Sequence, residues 1–188
     1  MARGAARMQR RVGRIEGQSR VIRGFHPALI GGLLQIPDYA RVIFSSGGDI
    51  HDVEESVAAR VARQSVLDDI RKRFSFIIPE SALTWHIGSP RIMAAQLRHV
   101  AEASRRRNVR LGVIPWTRPT QTSVTSGFDI YDNRAVIVGT ETATAFLADR
   151  QDVDQYLKLF SELEEVASFD DEARQVLSDR ADAYWNLH

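Results

Sequence analysis

The spacing of apolar residues along this chain switches between helical and alternating several times, and that succession confines the fold more than any single motif. Helical spacing runs from Val12 through Ile15, Ser19 and Ile22, through Val53, Val57 and Val61, and along Met93, Leu97 and Val100. It returns in two C-terminal stretches, Val153 to Val166 and Ala173 to Tyr184. Between them, Phe74, Phe76 and Ile78 alternate, as do Val109, Leu111 and Val113, and two more strands follow at Ser126–Tyr131 and Ala135–Val138. Helices before, between and after short strands imply an α+β domain. The expected form is a small, mainly antiparallel sheet of about four strands, packed with five to six helices and closed by a C-terminal helical pair.

Punctuation places the elements. Gly13, Gly17 and Gly24 weaken the first helix by roughly 1 kcal/mol each relative to alanine, and His26-Pro27 interrupts it. Pro37 suits a first helical position. Asp49 is placed to cap a long helix from Ile50 to Arg73. Ser89-Pro90 reads as an N-cap followed by proline, opening a helix to about Arg106. Asp132-Asn133 suits the tight turn of a hairpin, and Ser168 with Asp171 has capping-box spacing.

Composition excludes several classes. The chain has no cysteine, so disulfides, thiolate zinc sites and cysteine nucleophiles are out. Its five histidines show neither HExxH nor a paired helical spacing, so no metal or other cofactor is expected. GxSxG, Walker A and GxGxxG are also missing. Apolar runs are too short to span a bilayer and no secretory leader is evident, so cytoplasmic residence without membrane association is expected. A net charge of +1 argues against a whole-surface nucleic-acid binder. The arginines among the first 23 residues, opposed there only by Glu16, either form a solvated linker or support weak, non-specific contact with phosphate. Residues 1–14 are accordingly read as a basic leader or linker remnant, and residues 15–186 as a single effector or interaction domain.

Several polar residues lie beside the apolar stripes: Arg60, Arg63 and Gln64 on the long helix, Gln96 on the next, Glu80 after the first strand, and Gln35 and Tyr39 upstream. They can form a pocket for a small ligand or a partner's tail. They can equally satisfy helix ends and loop carbonyls. Glu141 follows a strand near Ser123, Thr125 and Ser126, and so resembles the glutamate of ADP-ribosyltransferase sites. The alternative is a structural carboxylate paired with Arg60 or Arg63.

The segment Leu29-Ile30-Gly31-Gly32-Leu33-Leu34-Gln35-Ile36-Pro37-Asp38-Tyr39-Ala40-Arg41 resembles the I-P-G-L-L-Q-T-P-x-Y-A-R signature of a family. Further motifs follow in register: Arg60-Val61-Ala62-Arg63-Gln64-Ser65-Val66-Leu67, Phe76 to Leu83 with Glu80, Met93 with Gln96-Leu97-Arg98, Val109 to Pro115, and Gly127-Phe128. Together they resemble the C-terminal effector domain of actinobacterial XRE-type, antitoxin-like (WhiJ-like) helix-turn-helix regulators. Gly31 stands where that pattern has proline and Ile36 where it has threonine. The resemblance implies a non-enzymatic effector-sensing or protein-interaction domain in transcription regulation. The implied partners are copies of itself, helix-turn-helix relatives, or a short uncharacterised protein encoded nearby. With only residues 1–14 before the matched body, a DNA-reading helix-turn-helix is not expected within this sequence. The competing reading is an ADP-ribosyltransferase-like enzyme centred on Glu141.

Overall fold

The structure, a computed structural model, describes residues 2–45, 50–140 and 143–187. Its elements run in the order α1 (Ala2–Gln18), β1 (Val21–Phe25), a 3-10 turn (Gly32–Leu34), α2 (Pro37–Ser45), α3 (Ile50–Arg63) and a second 3-10 turn (Gln64–Asp68). There follow β2 (Arg73–Pro79), α4 (Glu80–Thr84), α5 (Pro90–Ala103), β3 (Val109–Ile114), β4 (Gly127–Tyr131), β5 (Ala135–Gly139) and β6 (Thr144–Leu147). The chain closes with α6 (Arg150–Val166), β7 (Ser168–Phe169) and α7 (Asp170–Trp185).

The strands form one seven-stranded sheet ordered β6-β5-β4-β1-β2-β3-β7. β1, β2 and β3 are mutually parallel, and the remaining pairings are antiparallel. The mixed helix and sheet content fits the expected α+β class, and the sheet exceeds the expected four strands. The three unforeseen strands have separate causes. β1 lies where the helical stripe seemed to continue through Ile22. In the structure α1 ends at Gln18, because the Lys72 ammonium donates to the carbonyls of Glu16, Gly17 and Ser19 at 2.9, 2.8 and 2.5 Å. Asp132 Oδ1 then accepts from the Arg20 and Val21 N–H groups and fixes the strand's start. β6 is short and adds to β5 only by register, Ile137 opposite Phe146. β7 takes Ser168 into a bridge with Val113. The capping box expected at Ser168 is therefore not formed: α7 starts at Asp170 without a side-chain cap.

Helix boundaries shift for similar reasons. α1 begins well before Val12 and crosses the division expected at residue 14. Its buried face is Ala6, Gln9, Val12 and Glu16. The long helix expected to reach Arg73 stops at Arg63. Beyond the 3-10 turn, Asp69 accepts from the Arg71 N–H at 3.1 Å, a local turn that competes with helix. Its expected cap, Asp49, lies outside the described residues. Ser89 does cap α5, accepting from the Ile92 N–H at 3.2 Å. Asp132, at φ 53°, turns the β4–β5 hairpin.

Side chains of alternating parity divide the sheet's two faces. Ile22, Phe74, Phe76, Leu111, Val113 and Tyr131 pack with α1, α5, α7 and the Ile30–Leu34 loop. Phe25, Ile77, Phe128, Ile130 and Val136 pack under α6 through Val153, Phe160 and Leu163. Among the described residues, no helix is long and apolar enough to cross a membrane.

Candidate functional site

A cavity of about 430 Å³ opens on the α1–α3 side of the sheet. Its floor is the β1–β4–β5 register, which sets Gly24 opposite Asp129 and Asp129 opposite Ile137. α1 supplies one wall, α3 another, and the Pro27–Gly32 loop a third.

α3 carries Arg60 and Arg63 one turn apart, so both guanidinium groups face the same way. Gln9 Oε1, from α1, accepts from Arg60 Nε at 3.1 Å and from Arg63 Nη1 at 2.9 Å. Arg60 Nη1 also donates to Gln35 Oε1 at 2.5 Å, and its guanidinium lies 4.2 Å from the Phe44 ring centroid. Glu16, one per cent exposed, sets Oε1 3.2 Å from Arg63 Nη2. Burial raises the Glu16 carboxyl to about 7, although Arg63 pulls it down. Burial, then the neighbouring Arg63 charge, lowers Arg60 to about 9, which leaves it protonated at neutral pH. Among the described residues, Glu16 Oε2, Arg63 Nε and Tyr131 Oη are buried without a hydrogen-bond partner. Burial raises the Tyr131 phenol well above its ordinary value.

Across the cavity, His26 Nε2 lies 3.2 Å from Asp129 Oδ1. Gly31 makes room for this pair. Its φ of −58° and ψ of 145° would accept the proline of the family signature. A Cβ there, however, would approach His26 Cδ2 to 2.8 Å and Nε2 to 3.0 Å. Gly32 does the same for α3, since a Cβ would come 2.8 Å from Arg63 Nη2.

Of the residues expected to form a site, Arg60, Arg63 and Gln35 line this cavity. Three others bracket the signature loop. Gln64 Nε2 donates to the carbonyls of Gly32 and Gln35 at 3.1 and 2.7 Å. Gln96 accepts from the Ile36 N–H at 2.8 Å and donates to the Leu34 carbonyl at 2.6 Å. Tyr39 Oη accepts from the Ile30 N–H at 3.3 Å. Their amides and hydroxyl are engaged by backbone, so they shape the cavity by holding its loop. Glu80 lies elsewhere. It accepts from the Trp116 N–H at 3.0 Å and pairs with Arg180 on α7. Burial opposes its ionised form, but these two donors prevail and lower its pKa. Glu141 lies outside the described residues. The carboxylate that pairs with Arg63 is Glu16.

Gln9, Glu16, His26, Asp129 and Tyr131 were not among the expected site residues. The i, i+3, i+7 spacing of Gln9, Val12 and Glu16 carried a signal once α1 is extended toward residue 2. His26 and Asp129 meet only through the β1–β4 register, which leaves no local trace.

The fold and cavity together define a mixed helix–sheet domain with a partly buried pair of guanidinium groups at a loop-lined hollow. The chain belongs to the family described as Domain of unknown function (DUF5753), whose profile matches residues 9–179. No curated protein matches it. Among solved structures, it is similar to Nuc, a phospholipase D family member from Salmonella typhimurium. That similarity covers 85% of this chain and 88% of the other at 13% identity, with a TM-score of 0.45. A likeness at that level decides neither fold nor chemistry.

Proposed function

We propose that this chain is an effector-sensing domain of the XRE-type, antitoxin-like regulator class that its sequence resembles, with the arginine-walled cavity as the sensor. One observation carries the reading: Arg60 and Arg63 stand partly buried side by side on a cavity of about 430 Å³, with Glu16 as the carboxylate paired there. Buried guanidinium groups are costly unless matched by acceptors. Arg60 donates here to two neutral amide oxygens, and Arg63 Nε has no acceptor. An anionic small molecule would complete the set. Self-association, helix-turn-helix relatives and a short protein encoded nearby remain the partners through which such a signal would act.

The test is a melting-temperature titration of the purified chain with fractions of a small-molecule extract from its host. A saturable rise that disappears in a folded Arg60→Met variant supports sensing. No shift in any fraction removes it. NAD consumption abolished by Glu141→Gln would establish the ADP-ribosyltransferase reading in its place.

A further inference from the structure

The cavity's guanidinium wall is occupied by groups from the chain's own first helix. Gln9 Oε1 accepts from both arginines, and Glu16 Oε1 pairs with Arg63. Both residues belong to α1, the helix that packs along α3. Their oxygens sit where the oxygens of an anion would sit. Including Gln35, three side-chain oxygens engage four guanidinium N–H groups, and Arg63 Nε adds a fifth with no acceptor. A phosphate, with three terminal oxygens, can satisfy more donors of two converging forks than a carboxylate with two.

The far side of the cavity has different chemistry. Asp129 and His26 form an acceptor-rich pole, and the hydroxyl groups of Thr125, Ser126 and Thr140 line the rim. Tyr131 Oη lies at the floor, fully buried and without a partner. A ligand anchored by an anion at the arginines would place hydroxyl groups here, where Asp129 can accept from them.

We infer that the cavity binds a small phosphorylated polyol, whose phosphate takes Arg60 and Arg63 from Gln9 and Glu16 and so loosens α1 from α3. The inference rests on the sensing role proposed above and adds the ligand's chemistry and the moving part. Gln9 and Glu16 are then internal stand-ins for the phosphate. The exchange offers an acceptor to Arg63 Nε, which lacks one among the described residues, while Gln9 and Glu16 regain water as α1 loosens.

The decisive experiment is calorimetric titration of the whole chain with ribose 5-phosphate, glycerol 3-phosphate, ribose and inorganic phosphate, paired with hydrogen exchange of α1. The expected result is that a phosphorylated polyol binds at least roughly tenfold more tightly than ribose or phosphate alone. Asp129→Asn should reduce that advantage, and α1 amides should exchange faster in the complex. Gln9→Leu and Glu16→Gln, checked for folding by circular dichroism, should tighten binding by weakening the competitors. No binding of either phosphorylated polyol overturns the ligand class. If extract fractions still raise the melting temperature, sensing survives that failure; if they do not, both readings fall. Weaker binding in Gln9→Leu would make Gln9 a ligand contact and overturn the release of α1.

Discussion

Glu16 Oε1 lies 3.2 Å from Arg63 Nη2, with the carboxylate one per cent exposed, and the pair ties the first helix to the third. The second carboxylate oxygen and the Arg63 Nε are both without partners. A pair left half-satisfied this far from water contributes less to stability than its short distance suggests. Its cost follows pH.

The sign follows from the direction of the shift. Glu16 is raised from 4.5 to about 7 in the folded chain, so folding favours the protonated form. Its contribution is fully present below about 4.5 and is lost as pH rises toward 7, on the order of 3 kcal/mol across that window. Glu16→Gln fixes the neutral form. Urea unfolding from pH 4.5 to 8 should show the variant matching the natural chain at the acid end and gaining on it as pH rises. A constant difference at all pH values would place the titration elsewhere.

Gly31→Ala should move His26. The new methyl would approach the imidazole to 2.8 Å, and the ring must turn or the loop must shift. Overpacking of this kind costs about 1–3 kcal/mol. Imidazole nitrogen resonances should report loss of the Asp129 hydrogen bond. An unchanged spectrum would show that the loop yields before the ring does.

How much of this was legible beforehand varied with the range of the forces involved. Ser89-Pro90 and the Asp132-Asn133 turn were readable because cap and turn chemistry is local. Alternation exposed β2 and β3, and the Asp132-Asn133 turn between two short strand-like runs exposed β4 and β5. β1 was hidden because Val12, Ile15, Ser19 and Ile22 happen to keep helical spacing. What ends the helix at Gln18 is Lys72, far along the chain. β7 was hidden because Ser168 and Asp171 imitate a capping box while Ser168 pairs with Val113 instead. In the site, Arg60, Arg63 and Gln35 were legible as polar residues beside apolar stripes. Their partners were not: Gln9 precedes Val12, where the helical spacing begins, and Glu16 reads only as a charge among the N-terminal arginines.

Gln96→Leu should cost about 1–3 kcal/mol, because it leaves the Ile36 N–H and the Leu34 carbonyl without their partner. The signature loop would loosen as well. Chemical denaturation gives the first quantity, and proteolysis between Ile30 and Pro37 the second. A neutral effect would mean that water replaces the amide.

Glu80→Gln tests a part of the molecule unconnected with the cavity. It removes the charge that Arg180 pairs with and weakens the acceptor for the Trp116 N–H. A loss of about 1 kcal/mol in stability is expected, since Arg180 is 37% exposed and water screens the charge left behind. Ligand affinity should not change. A parallel loss of affinity would join α4 and α7 to the site.

The central claim, that the paired Arg60 and Arg63 receive an anionic effector, is tested most directly by their own side-chain N–H resonances. With nitrogen-labelled arginine, titration by ribose 5-phosphate should shift the Arg60 and Arg63 Nε signals in a saturable way. Exposed guanidinium groups such as those of Arg98 and Arg134 should stay in place. Shifts spread evenly over the surface arginines, with Arg60 and Arg63 unmoved, would contradict it.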